Sequence, residues 1–290
     1  MSPADAHSGA AAPPALVGRV EYARNTNGAV VARLTSAGAV AEVALYGAQL
    51  VGFRPKDQEH DVLWLGHYRP VAGKDCWGGI PLCWPWFMVR KDPPHGPFHG
   101  FGRFSHWRVL AAEAPDAVTT RLRLGLADSE ETRATWPHAF EAELVVTLRR
   151  ELDLELITRN TGGEPMRLEH CFHTYFRAAD ATRIRILGLE EAPVAVPGHV
   201  SRVFQGVEGP CRIEDPLWRR AIVMEKRGSR QTVLWNSGPV REVNGRQTGE
   251  PEWRTQVAVE ALRGQDDALV VPPGGEARLG MTIRVEELAP

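Results

Sequence analysis

The sequence predicts an all-β fold, a large sandwich of mainly antiparallel strands, on three observations. Helical periodicity is hard to find anywhere in the 290 residues. Short apolar runs bounded by Gly, Pro, Asn and Asp recur at intervals of about ten residues, the spacing expected of strands joined by turns. Some of those runs also alternate strictly, as a strand with one wet face must.

Val30–Leu34 and Val40–Leu45 flank a small-residue turn and each carries one charged residue among apolar ones. Val109–Ala112 and Thr119–Leu124 follow, the second alternating Arg121 and Arg123 with leucines. Ala142–Leu148 and Leu152–Thr158, joined by Arg149-Arg150-Glu151, read as a hairpin; Leu152-Asp153-Leu154-Glu155-Leu156 is its clearest alternating strand. Met166–Phe176 reads as one long strand. Ile184–Leu187, Ala221–Met224, Thr232–Trp235, Gln256–Leu262 and Ala277–Val285 complete the set. A dozen such strands without a fixed-period repeat predict a single sandwich domain over residues 16–290, after a disordered Ala/Pro/Ser-rich tail over residues 1–15.

Composition narrows the function. An apolar fraction of 43%, a charged fraction of 24% and a net charge of −2 fit a soluble globular protein and argue against a nucleic-acid footprint. No window approaches the roughly 20 apolar residues of a membrane span. The N-terminus lacks the basic start and apolar stretch of a secretory signal. Cys76, Cys83, Cys171 and Cys211 stand at irregular spacings with no disulfide framework. Together these predict a cytoplasmic protein, monomeric by default, with no nucleic-acid or membrane partner.

Two long irregular stretches, Pro70–Phe104 and Asn236–Glu252, are expected to frame a pocket, because loops of that length are uncommon unless functional. Trp77 to Phe87, with His99-Gly100-Phe101-Gly102-Arg103, holds four glycines, two prolines and five aromatics. That composition predicts a rigid aromatic wall beside two polar groups, His99 and Arg103, which suits a sugar ring with one apolar face and a hydroxyl edge.

In Leu168–Phe176, strand alternation puts Leu168, His170, Phe172, Thr174 and Phe176 on one face and Glu169, Cys171, His173 and Tyr175 on the other. His170 therefore falls among core residues and His173 on the more polar side. Glu260 interrupts the apolar run Val257–Leu262. It is either a rim residue leaning into water or a buried carboxylate whose pKa rises toward neutrality, where it can exchange protons. Metal ligation is not expected: His95, His99 and His106 have no recognised spacing, and His170 and His173 point to opposite faces of a strand. No phosphate-cradling glycine loop and no nucleophile elbow is present.

The block Gly78 to Phe87, His99 to Arg103, His173-Thr174-Tyr175-Phe176, Thr232 to Asn236 and Val259-Glu260 resembles, in order and spacing, the hexose-6-phosphate 1-epimerases. These are glucose-6-phosphate mutarotases of the galactose mutarotase-like group, and the resemblance runs from about Leu16 to Glu287. It implies a galactose mutarotase-like β-supersandwich and a cofactor-independent isomerase that interconverts α and β anomers of a sugar or sugar phosphate. By matched position it makes Glu260 the general base, His173 the general acid, and His99 and Arg103 substrate-binding residues, with Arg103 on the phosphate. Three positions depart from the family's polar set: Trp77 and Phe98 stand where arginine and a polar residue are usual, and Ser201 stands where aspartate is. They leave open a sugar without the phosphate. The rival readings are a non-catalytic carbohydrate-binding module, which has no need of both His173 and Glu260, and a glycoside-cleaving enzyme, which needs two flanking carboxylates where one is evident.

Overall fold

The computed structural model describes residues 19–66, 69–90, 96–239, 242–243, 246–247 and 252–288. The expected N-terminal tail and His95 lie outside the described residues, as does most of the stretch after Ser237. Among the described residues the strand pairs are antiparallel and one short α-helix, Glu130–Thr135, is present. Ser129 caps that helix through the Thr132 backbone N–H, while the Thr132 hydroxyl accepts from the Ser129 backbone N–H.

Three sheets build the body. A four-stranded meander runs Val20–Arg24, Val30–Thr35, Ala39–Ala44 and Gln49–Pro55. A nine-stranded sheet has the order Val194–Ala195, Arg185–Leu187, Cys211–Asp215, Arg220–Arg227, Glu276–Glu287, Leu152–Asn160, Phe140–Leu148, Thr120–Ala127 and Arg108–Glu113. A six-stranded sheet has the order Val200–Gln205, Gln231–Asn236, Gln256–Arg263, His170–Phe172 and Leu82–Cys83. Its sixth strand, Tyr175–Arg177, also pairs with Gln256–Arg263.

The hairpin read from the sequence is present, with Leu148 opposite Leu152 and Leu144 opposite Leu156. Its alternation works as expected: Leu152, Leu154 and Leu156 are fully buried, while Asp153 and Glu155 reach salt bridges with Arg227 and Arg278 at the surface. The stretch Met166–Phe176 differs from expectation. It is three short strands, Met166–Leu168, His170–Phe172 and Tyr175–Arg177: the chain changes partner from Leu269–Val271 to Gln256–Arg263 after Leu168, and the pairing with Gln256–Arg263 is interrupted at His173, whose N–H donates to Pro81 O instead.

One apolar core joins the three sheets, with Leu34 and Phe53 from the first, Leu144, Leu156 and Leu279 from the second, and Phe172, Leu234 and Val259 from the third. Burying each such side chain contributes about 1.5–3 kcal/mol. The six-stranded sheet thus has one face committed to the core, and its other face is left to build a site.

Candidate active site

Alternation along Gln256–Arg263 sorts its side chains cleanly. Val257, Val259 and Ala261 belong to the main core, whereas Ala258 and Leu262 sit in small clusters on the opposite face, with Glu260 between them. The neighbouring strands obey the same rule: Phe172, Phe176 and Leu234 go to the core, and Cys171, Tyr175, Val233 and Trp235 go to the Glu260 face. Register then decides who meets whom. Phe172 opposes Ala261 and Tyr175 opposes Ala258, so His173 stands directly opposite Glu260. Val233 opposes Glu260 from the other side.

The result is a contact of 3.3 Å between His173 Nε2 and Glu260 Oε1. The backbone holds it in place. His173 N–H donates to Pro81 O at 3.1 Å, Tyr175 N–H to Gly79 O at 2.9 Å, and Val259 N–H to Thr174 O at 3.0 Å.

The glycine- and proline-rich segment locks onto this sheet. Gln49 donates through Nε2 to Cys76 O and Gly78 O, and its Oε1 accepts from the Cys76 N–H. Gly79 has φ of +63°, and a Cβ there would lie 1.9 Å from Leu50 O; only glycine lets the chain pass. His99 faces Met88 reciprocally, donating its N–H to Met88 O at 2.8 Å while its Nδ1 accepts from the Met88 N–H at 3.0 Å. That bond puts the ring proton of neutral His99 on Nε2. Arg103 forms an ion pair with Asp75 and lies over the ring of Phe104.

Together these groups enclose a pocket of about 630 Å³. The expected aromatic wall is there but is differently made. Ile80, Leu82, Trp84, Trp86 and Phe101 are core residues, and Trp84 is wholly buried with its indole N–H donating to Thr158. Hydrophobicity alone cannot distinguish a ring that fills the core from one that faces a ligand. The pocket takes Trp77 and Phe87 from that block, together with Met88, Phe98 and Phe104 from the loops and Tyr175 and Trp235 from the sheet. The four expected site residues, His99, Arg103, His173 and Glu260, all line it, and so does Ser201. His170 faces the core and does not. Asp75 was not singled out by the sequence; Gly73-Lys74-Asp75 reads as an ordinary surface turn.

The aldose 1-epimerase family profile matches residues 31–202, which include His99, Arg103 and His173. The chain belongs to the aldose 1-epimerase family. It is therefore an isomerase. Across 264 residues it is 30% identical to an Escherichia coli (strain K12) protein provisionally named glucose-6-phosphate 1-epimerase, spanning 84% of this chain and 86% of that relative. The crystal structure of a Salmonella typhimurium protein, provisionally titled a mutarotase, superposes with a TM-score of 0.84 at 25% identity, covering 94% of this chain and 95% of that one. A galactose mutarotase-like protein of Clostridium acetobutylicum shares the fold, with a TM-score of 0.73 at 13% identity, over 93% of this chain and 98% of that one.

In this pocket, burial governs the charges. Glu260 is pushed up to about 8 by desolvation, partly offset by a hydrogen bond from Cys171. His173 is pulled down to about 3 by burial and then by the Arg103 charge. His99 is pulled down to about 2 by burial, with smaller contributions from His173 and Arg103. At neutral pH the His173–Glu260 pair thus carries one proton and no net charge, the proton resting on the carboxyl. Such coupled groups titrate as a pair, and a proton can pass between them along the 3.3 Å contact. Tyr175 stacks on His173 with ring centroids 4.7 Å apart, and its hydroxyl is engaged by Trp77. Burial raises the Tyr175 hydroxyl well above the usual range, so it stays protonated.

Proposed function

We propose that this protein interconverts the α and β anomers of an aldohexose, most plainly a hexose 6-phosphate, with His173 and Glu260 as the proton-transfer pair. The observation that carries this is their buried, in-register contact at one wall of the pocket. Anomerisation needs a base to take the C1 hydroxyl proton and an acid to protonate the ring oxygen. The ring opens, the C1–C2 bond rotates, and closure on the other carbonyl face reverses both transfers.

A pair holding one proton has the right inventory: one site to give and one to receive. Transfer of that proton from Glu260 to His173 leaves Glu260 as the base and His173 as the acid. Each positioned transfer contributes about 10²–10⁴ in rate. His99, with its proton on Nε2, can donate to a sugar hydroxyl, and Arg103 can bind a hydroxyl or phosphate oxygen. The hexose 6-phosphate assignment rests on the name of the Escherichia coli relative.

A second reading, an unphosphorylated aldose, is favoured by one observation. The Asp75 carboxylate lines the pocket beside Arg103, and Trp77 and Phe98 present rings there. A carboxylate in that place attracts hydroxyls and repels a phosphate. The core shared by three sheets supports one domain across the described residues. Four free, buried cysteines support a reducing, cytoplasmic setting, where we propose that the chain acts as a monomer. Among the described residues no helix is long and apolar enough to cross a membrane.

Anomer exchange followed by NMR with glucose, galactose and glucose 6-phosphate tests the proposal. Wild type should outpace buffer with at least one sugar, and Glu260→Gln and His173→Ala should each lose about 10²-fold or more. Wild-type exchange no faster than buffer for every sugar would sink the epimerase reading. Acceleration confined to unphosphorylated sugars would establish the second one.

A further inference from the structure

We infer that Cys171 is a positioning residue for Glu260: its thiol donates to one carboxyl oxygen and leaves the other to His173 and the substrate. The inference rests on the epimerase reading above. Cys171 Sγ lies 3.3 Å from Glu260 Oε2, while His173 Nε2 lies 3.3 Å from Oε1. The two oxygens are thereby assigned to different partners, and the carboxyl plane is fixed between them. Strand geometry produces this. Cys171 and His173 are two residues apart, so both face Glu260 from the same flank.

Other groups around Glu260 do not take that place. Cys83, on the strand beyond Cys171, sits directly opposite it and supports its thiol. Tyr175 is engaged with Trp77. His99 and Arg103 reach the pocket from the loops and are occupied by Met88 and Asp75. The strand on the other side offers Val233, which cannot hydrogen-bond.

The choice of sulfur matters chemically. A thiol is a weak donor, and this one stays protonated because burial and the neighbouring Glu260 both raise it. A weak donor orients the carboxyl while stabilising its charged form only slightly, so Glu260 keeps its proton near neutrality. A hydroxyl would orient it too, but would favour the carboxylate more strongly.

The test is the pH dependence of kcat/KM between pH 6 and 10 for wild type, Cys171→Ala and Cys171→Ser. Activity should fall on the alkaline side as Glu260 loses the shared proton. That midpoint should lie highest in the alanine variant, by a resolvable fraction of a pH unit over wild type, and lowest in the serine variant. Coincident midpoints, whatever happens to kcat, would overturn the inference, because a merely structural role moves rates without moving the titration. A second readout needs no turnover. The infrared S–H band of Cys171, isolated as wild type minus Cys171→Ser, should move to lower frequency as Glu260 ionises and should ignore pH in Glu260→Gln. A wild-type band that ignores pH would equally overturn the contact. Should wild type fail to speed any anomer exchange, the epimerase reading falls alone and the infrared band still decides the contact.

Discussion

His173, in the break between His170–Phe172 and Tyr175–Arg177, lies far in the chain from Glu260 on the strand that both of these pair with, and the register of those strands sets Nε2 3.3 Å from Oε1. The pair is desolvated and holds one proton at neutral pH, with His173 pulled down to about 3 and Glu260 pushed up to about 8. Only the singly protonated pair can both give and accept. We therefore predict that kcat/KM for anomer exchange is level through neutrality and falls with a midpoint near 8 as the pair loses that proton. A pH–rate profile on the wild type checks this. A profile rising through pH 8 would mean that Glu260 acts from its fully ionised, unpaired state.

Burial of Glu260 carries a cost in stability. An unfolded glutamate ionises above its ordinary value of 4.5, whereas the buried one keeps its proton to about 8. The folded state therefore loses ground as pH rises between those values and loses no more beyond them. Glu260→Gln keeps the shape and both hydrogen-bonding partners without the charge. We predict a higher melting temperature for this variant at pH 8 to 9, with the gain fading toward pH 5 and below. Calorimetry at these pH values would count against the burial argument if the gain did not depend on pH.

Acid should unfold the protein through its buried imidazoles. His99, His170 and His173 are pulled down to about 2, 3 and 3, chiefly by desolvation, from an ordinary value of 6.5. The stability they contribute is present above 6.5 and lost as pH falls toward those lower values. Each should shift the folding equilibrium by about tenfold per pH unit in that window. His170 tests this away from the pocket, since both of its ring nitrogens are buried without a hydrogen-bond partner among the described residues. His170→Leu should remove about one proton from the pH dependence of urea unfolding between pH 7 and 5. An unchanged slope would show that His170 takes up its proton within the fold.

Gly79 couples the loop to the pair. Its φ is +63°, a Cβ would lie 1.9 Å from Leu50 O, and its own carbonyl accepts the Tyr175 N–H. Gly79→Ala should cost more than about 2 kcal/mol by chemical denaturation and lower exchange activity in the fraction that folds. A stable, fully active alanine variant would show that this crossing can open without disturbing Tyr175 and His173.

Much of this was legible in the sequence. The alternation of Leu152 to Leu156 gave its hairpin, and the same period separated His170 from His173 correctly. Hydrogen bonding could not be read so directly. Met166–Phe176 alternates without a turn residue, and nothing local shows that it changes sheet partner after Leu168. The aromatic block misled in a similar way, because Trp84 and Trp77 are equally hydrophobic, yet one fills the core and the other faces the pocket.

The sequence by itself determined the β architecture, the candidate site residues and, through matched motifs, the family, because side-chain period and residue type are local properties. Only the tertiary structure decided that Glu260 is buried rather than at the rim, that His173 is its cross-strand neighbour, that Cys171 touches Glu260, and that Asp75 lines the pocket. Those facts depend on strand register and on desolvation. Both arise when segments far apart in the chain come to share one face of a sheet.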